Sequence, residues 1–142
     1  MPANDFNVGR DISLAIVGPT GDLDVSLVTG WMNRQDTNDV RVKGLDGIVR
    51  HLIIPDGWSG TLEIERQNPV LDAYFSQFEE DFYGGVNQQT LTITETIEEP
   101  DGSVSQYRFE GVQLKLEDAG EWRGDTSVKA RVAMLASRKK RI

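Results

Sequence analysis

The residues with the greatest chemical capacity in this chain are few and scattered. The sequence has no cysteine, and its single histidine, His51, lies in the apolar stretch between Ile48 and Ile54. One imidazole without carboxylate partners does not make a transition-metal site, so a structural or surface role is expected for it. No acid, base and nucleophile converge in the pattern. The sequence therefore predicts a protein that is not an enzyme and that uses no cofactor or metal.

Two glycine-rich segments have a superficial likeness to active-site loops. Gly57–Gly60 contains a serine but lacks the Gly-x-Ser-x-Gly spacing of a nucleophile elbow. Gly18–Gly21 is not followed by the Gly-Lys-Ser/Thr of a phosphate-binding loop. Both segments are predicted to be turns, the first with Trp58 as an aromatic plug.

The acidic residues suggest two further kinds of site. Glu63 and Glu65 point to the same side of a predicted strand, as paired glycosidase carboxylates would, but no cleft accompanies them and a solvated polar face is favoured. Asp46 and Asp56 lie in predicted loops that lack the regular oxygen spacing of a calcium-binding loop.

The charge distribution argues against general nucleic-acid binding by the folded domain. The 15 basic and 23 acidic residues give a net charge of −8. Four of the basic residues form the run Arg138–Arg141, so the rest of the chain carries 11 basic against 23 acidic residues, or −12. An acidic body repels a phosphate backbone. The 142 residues fit one domain, and no apolar run approaches the ~20 residues that span a bilayer, so no membrane contact is expected.

Alternation of apolar and polar residues predicts strands through most of the chain. They are expected over Asp11–Val17, Leu23–Leu27, Val40–Lys43, Ile48–Ile54, Thr61–Arg66, Thr90–Ile97, Val104–Leu116 (with a bulge at Gly111) and Val128–Met134. Residues 1–10 are expected to form a polar arm, Asn33–Asp39 an exposed loop, and 138–142 a basic tail. Seven or eight strands with one helix predict a single domain, residues 1–142, built as an antiparallel β-barrel or sandwich with one flanking α-helix.

The helix is predicted over Asn68–Tyr83. Asn68 suits the N-cap, Pro69 suits the first helical position, and Gly84 and Gly85 end the helix. One stripe of this helix is apolar and comprises Leu71, Tyr74, Phe75, Phe78 and Phe82.

Two groups of charges break local rules. Glu79, Glu80 and Asp81 lie near the helix C-terminus, where negative charge opposes the macrodipole. Solubility is one explanation; a basic partner, either the tail Arg138–Arg141 of another copy or a separate protein, is the other. Glu95 is the exception on the apolar face of its strand.

The order of these elements is distinctive: a polar arm, several strands, an aromatic helix, a long hairpin and a final strand with a basic end. The segments in which this order is clearest are Val40–Gly44, Asn68–Tyr83, Phe109–Leu114, Asp118–Trp122 and Ser127–Ser137. The chain from about Asp11 onward resembles the tail tube proteins of bacteriophages, whose fold is shared with the inner tubes of R-type bacteriocins and the type VI secretion tube protein. The resemblance is one of architecture rather than of an invariant motif.

The resemblance implies a structural subunit of a phage tail tube. Six copies would join their sheets edge to edge into a ring, and rings would stack around a channel inside a contractile sheath. DNA would pass through the channel without specific binding. The implied partners are further copies, a sheath protein, and baseplate or terminator proteins. The implied location is the virion tail, assembled in the host cytoplasm.

Candidate surfaces follow from this resemblance. Ring stacking is assigned to Asn33, Arg34, Asp36, Arg138, Lys139, Lys140 and Arg141, together with the arm 1–10. The lumen would be lined by Glu63 and Glu65, or by the row Thr90, Thr92 and Thr94. A sheath or another partner would meet Glu79, Glu80 and Asp81.

Three alternatives stay open. A baseplate tube initiator or a tail terminator would share the fold but form a single ring. A secretion-system or bacteriocin inner tube would share both fold and stacking. A monomeric β-barrel that binds a small ligand belongs to another class, and the eleven aromatic residues would have to serve both its core and its pocket.

Overall fold

The computed structural model describes residues 5–19, 21–23 and 27–142. Within them the chain forms eight β-strands and one α-helix, as the alternation predicted. The strands are β1 Ile12–Gly18, β2 Gly21–Asp22, β3 Leu27–Lys43, β4 Val49–Glu65, β5 Leu91–Glu98, β6 Val104–Asp118, β7 Lys129–Ala136 and β8 Arg138–Arg141. The helix α1 is Val70–Tyr83, and a 3-10 turn at Gly9–Asp11 precedes β1.

The strands form one antiparallel sheet that bends into two layers. Its order is β2-β1-β5-β6-β7-β4-β3, and β8 pairs with the first half of β6. Strand β6 belongs to both layers, because its first half pairs with β5 and β8 and its second half pairs with β7. In the described part of the chain β2 and β3 are the two ends of this strand order. Because β6 is shared by both layers, the sheet folds over itself like a sandwich.

Gly111 is the point at which β6 passes from one layer to the other. Its φ is +65°, and a Cβ there would lie 2.5 Å from the Ser137 Oγ. The Ser137 N–H donates to the Glu110 carbonyl oxygen at 2.9 Å, so the neighbouring strand follows the bend. Only glycine adopts this conformation at low cost, which explains why the predicted bulge falls here.

One apolar core lies between the two layers. Fully buried side chains come from both of them, namely Leu91, Ile93, Phe109 and Val112 on one side and Leu62, Ile64, Val132 and Met134 on the other. Leu71 of α1 is buried in the same cluster. Every second residue of β5 and β7, and of β4 from Leu62 onward, faces this core, which is the alternation that the sequence shows.

Helix α1 starts two residues later than predicted. Pro69 occupies the N-cap position, and the Asn68 Oδ1 accepts the N–H of Val70 at 3.1 Å, so Asn68 still satisfies one free amide of the first turn. Gly84 follows the helix and Gly85 has a φ of +77°, as expected of its end.

The apolar stripe of α1 faces inward over most of its length. Leu71 is buried, and Tyr74, Phe75 and Phe78 are half-buried. Phe82 is exposed, so its predicted inward position is wrong.

Three segments that we predicted to be irregular belong to strands. Asn33–Asp39 lies inside β3, and Arg138–Arg141 forms β8 along Tyr107–Glu110 of β6. The predicted turn Gly57–Gly60 lies, together with Asp56, inside β4, where Gly57 has a φ of +87° and marks an irregularity of the strand rather than its end. The first two predictions were wrong for one reason. The period-two signal needs an apolar residue at every second position, and these segments place polar residues on both faces of a strand.

The N-terminal region also differs from the expected pattern. Of the predicted strand Leu23–Leu27, Leu23 follows the short β2 and Leu27 begins β3, whereas residues 24–26 lie outside the described residues. Of the predicted arm, residues 5–10 are exposed and residues 1–4 lie outside the described residues.

The bend at Gly111 predicts a large cost for adding one methyl group there. Gly111→Ala should lower the free energy of unfolding by about 1 to 3 kcal/mol, because the new Cβ must shift Ser137 and adopt a positive φ. Gly102→Ala is the matched control, since Gly102 has a φ of +90° but open space around its Cβ position. Urea denaturation measures both; equal losses would show that the contact with Ser137 is unimportant.

Candidate assembly surfaces

The distal halves of β3 and β4 form a two-stranded ribbon that leaves the two-layered body. Strand β4 pairs with β7 only from Trp58 to Glu65, whereas its pairing with β3 continues to Lys43 and Val49. We call residues 37–55 the ribbon. At ~3.3 Å per residue it extends roughly 25 Å to its tip. The predicted hairpin of Val40–Lys43 with Ile48–Ile54 is thus confirmed and is longer than expected.

The ribbon has an apolar face that the described chain does not cover. Cross-strand partners share a face, and Val40 lies opposite Leu52. Along this face Val42, Leu52 and Ile54 are 53%, 56% and 41% exposed. Leu45 at the tip is fully exposed. These side chains would be core residues if a third strand or another layer packed on them.

The tip of the ribbon is closed by an ion pair. The Asp46 carboxylate accepts hydrogen bonds from the Arg50 Nη2 at 2.9 Å and from the Ile48 N–H at 3.0 Å. The Arg50 guanidinium, and then the Ile48 N–H, hold the pKa of Asp46 below its usual value. The Asp46 carboxylate therefore serves to stabilise the turn. His51 lies on the opposite face of the ribbon, directly across from Arg41, and is exposed; this face is mixed, since it also carries the exposed Ile53.

Both ends of the sheet leave strand edges open. In the described chain β3 pairs only with β4, and β1 meets β2 only at Val17 and Gly18. Unpaired backbone N–H and C=O groups along an edge are a template for a strand of another chain.

The two candidate lumen linings lie on different layers of the sheet. Glu63 and Glu65 face outward on β4, where the Glu63 Oε1 is 3.0 Å from the Arg131 Nη2 and the Glu65 Oε1 is 4.0 Å from the Lys129 Nζ. This face is charge-balanced, since each carboxylate lies directly opposite a cation. Only one of the two linings can face a given channel.

The threonine row lies on the outward side of the other layer. Thr92 and Thr94 are half-buried on β5, and Thr90 is exposed just before β5 begins. Thr94 lies opposite Arg108 of β6. This face offers hydroxyl groups beside a cation. Which of the two faces lines a channel stays a prediction.

The acidic end of α1 lies beside a groove. Glu79 and Glu80 are exposed, and the half-buried Asp81 accepts a hydrogen bond from the Gln77 Nε2 at 2.8 Å. The groove has a volume of about 470 Å³, runs between α1 and the β1–β2 turn, and has Asp81 and Tyr74 among its lining residues. Burial raises the pKa of Tyr74.

The predicted stacking residues divide into two groups. Asn33 and Lys139 turn inward, and their Oδ1 and Nζ atoms are 3.4 Å apart. The others lie on the surface or at its margin. Arg34 and Asp36 form a 3.5 Å ion pair at the base of the ribbon, Lys140 is 3.5 Å from Glu110, and Arg138 and Arg141 are exposed. A stacking role for these residues stays a prediction.

The described residues form neither a metal-binding cluster nor a membrane-spanning helix. Among the described residues no three His, Cys, Asp or Glu side chains come together in a group that could hold a metal ion. None of the helical segments described is long and apolar enough to cross a bilayer.

The sequence did not reveal the apolar face of the ribbon. Val40 and Val42 alternate with charged residues, and Leu52–Ile54 is a short apolar run, as in buried strands; neither pattern says whether a partner is present. The only available signal was the hairpin itself, with polar or glycine-rich segments on either side.

The acidic helix end predicts a stabilising charge reversal. Glu79→Lys or Glu80→Lys should each raise the free energy of unfolding by about 0.3 to 1 kcal/mol, because a cation suits the C-terminal end of the macrodipole. Glu117→Lys is the control, since Glu117 is exposed on β6, away from the helix, and its substitution changes the net charge by the same amount. Urea denaturation at low salt measures all three, and an equal gain in the control would exclude the macrodipole as the cause.

Comparisons with known proteins identify the fold but not a sequence family. No protein-family model matches the chain. No curated protein matches its sequence either. Solved structures match it over nearly its whole length, at sequence identities of 8% to 12%.

Three of these structures show the range of the likeness. A chain of the anti-feeding prophage cap, a tube-terminating cap, superposes with a TM-score of 0.64 at 9% identity, covering 99% of this chain and 93% of that one. A chain of the PVC sheath-tube complex, from an extracellular contractile injection system, gives 0.58 at 8% identity, covering 91% and 87%. A chain of a gene transfer agent tail gives 0.58 at 12% identity, covering 96% and 99%. The chain therefore has the tail-tube-like fold that its sequence resembled.

Proposed function

We propose that this chain is a structural subunit of a phage-like tail tube, in which copies form hexameric rings that stack around a channel. The ribbon is the observation that carries the proposal. A two-stranded ribbon is marginally stable in water, and this one exposes Val42, Leu52 and Ile54 on a single face. Such a face requires a cover, and in a repeating assembly a second copy supplies it.

The solved structures with this fold support a second copy as the cover. They include a sheath-tube complex in its extended state and a tail refined with C6 symmetry. The open edges of β1 and β3 suit lateral contacts within a ring, where closing the ring removes exposed edges. The ribbon, which extends beyond the body, then suits contacts between rings.

A single-ring cap is the second candidate. The chain superposes on the tube-terminating cap of the anti-feeding prophage over 99% of its own length. A cap and a tube subunit differ in whether both ring faces accept another ring. Continued stacking at high concentration favours the tube, and arrest at one ring favours the cap.

The proposed channel is a passage and not a binding site. The outward face of β4 and β7 balances Glu63 against Arg131 and Glu65 against Lys129. A surface without excess cations releases few counterions from DNA, so it holds DNA weakly. The role is mechanical, and no catalytic step is proposed.

The acidic helix end fits an external partner in this arrangement. Glu79 and Glu80 are exposed, and their charge works against the helix that carries them. A sheath subunit with a basic surface would neutralise them. The tail of another copy is a poorer candidate than the sequence indicated, because Arg138–Arg141 is held in β8.

The ribbon predicts a separable loss of assembly. Leu52→Ser with Ile54→Ser should abolish species larger than one ring while leaving the unfolding temperature almost unchanged, because both side chains are already exposed to water. Sedimentation velocity over a range of concentrations measures the species present. Val104→Ser is the matched control, since Val104 is 60% exposed on the body at the start of β6.

Two outcomes of this experiment would overturn the proposal. Unchanged assembly of the ribbon variant would exclude the apolar face as a contact between copies. An equal loss in the Val104→Ser control would show that assembly depends on surface hydrophobicity in general.

A further inference from the structure

Lys139 is the centre of a polar cluster inside the fold. Its Nζ lies 4.0 Å from the Glu95 Oε1 and 3.4 Å from the Asn33 Oδ1. The side chains of Lys139 and Glu95 are only 16% and 5% exposed. The ion pair is therefore shielded from water, unlike the exposed pairs on the surface of the sheet.

Aromatic rings complete the surroundings of this ammonium group. The Lys139 Nζ lies 4.9 Å from the ring centre of Trp58, 4.6 Å from that of Tyr107 and 5.2 Å from that of Phe109. Ring faces attract a cation, and more strongly when water is excluded. Trp58 and Phe109 also meet edge to face at 6.1 Å, so the predicted aromatic plug at Trp58 forms one wall of the cluster.

Glu95 connects the same cluster to β3. Its Oε2 accepts a hydrogen bond from the Trp31 Nε1–H at 3.1 Å and another from the Asn33 Nδ2 at 3.5 Å. Asn33 thus donates to the carboxylate while its Oδ1 accepts from Lys139. Glu95, the polar exception on the apolar face of β5, is thus a buried carboxylate whose partners lie on β3 and β8.

The cluster lies where the ribbon leaves the body. The β3–β4 register shifts between Gln35 and Thr37, and Gly57 has a φ of +87° on the opposite strand. This bulge is a natural hinge, because it interrupts the regular ladder. Asn33 of β3 and Trp58 of β4 lie on the body side of it, and both contact Lys139.

We propose that the Lys139–Glu95 pair is a lock that fixes the direction of the ribbon relative to the body. A buried ion pair contributes little net stability compared with apolar residues of equal size, but it can select one arrangement over others. Here the C-terminal strand β8 supplies the cation, β5 the anion, and β3 and β4 the groups at the ribbon base. A role of the lock in preparing the ribbon for stacking rests on the proposed function. Its role in fixing the direction of the ribbon is independent of that function.

Distance measurements in the full-length chain test the lock. The sequence has no cysteine, so spin labels attach only at introduced ones. Leu45→Cys with Ser76→Cys reports the ribbon tip against α1, and Lys115→Cys with Ser76→Cys reports the body alone. Double electron–electron resonance is measured on labelled protein diluted into unlabelled protein of the same variant, so that contacts between copies do not contribute.

The test variant is Glu95→Gln with Lys139→Met, which removes both charges and keeps side chains of similar length. We expect the unfolding temperature to stay close to that of the wild type, the body distance to stay narrow, and the single narrow tip distance to be lost. Lys139→Arg is the conservative control, since a guanidinium keeps the charge and stacks on aromatic rings. It should retain the narrow tip distance.

Each contrary result overturns a defined part of the proposal. A narrow tip distance in the double variant would show that the pair does not hold the ribbon. Broadening of the body distance as well would make the pair a general structural element. A broadened tip distance with normal stacking by sedimentation would support the role of the pair in fixing the ribbon but exclude a role in assembly. A broadened tip distance with loss of stacking would support both roles.

Discussion

The whole structure depends on one strand serving two layers. Strand β6 pairs with β5 up to Val112 and with β8 up to Glu110, and it pairs with β7 from Gln113 onward, so one apolar core can form between two halves of a continuous sheet. The core residues of both halves, such as Phe109 and Val132, are completely buried as a result. Because β7 and β8 follow the same bend, the C-terminus is a strand of the body rather than a free arm.

The ribbon exists because β4 is longer than the strand that supports it. Strand β7 ends at Ala136, opposite Trp58, and β4 continues beyond this point with β3 as its only described neighbour. A folded body thus carries an extension whose apolar face is exposed to water in the single chain. The cluster around Lys139 lies at the junction, so the folding of the C-terminal strand and the placement of the ribbon are physically connected.

Sequence analysis succeeded where one face of a strand is buried. Strands β5 and β7 alternate with Glu95 as the one exception, and Ile93 and Val132 face the core as predicted. It failed for Asn33–Asp39 and Arg138–Arg141, because a strand with polar residues on both faces carries no periodic signal. Glu95 was recognised as an exception, but its partner Lys139 is distant in sequence and lay in an expected tail. The exposed Leu52 is indistinguishable from a core leucine by sequence, since a local pattern does not tell whether another layer packs on it.

Assembly of the purified chain is the central claim, and negative-stain electron microscopy over a range of concentrations tests it most directly. The account predicts rings with a central hole at low concentration and stacked tubes at high concentration. A protein that remains monomeric at the highest concentration, and also in the presence of preformed tube ends, would contradict it.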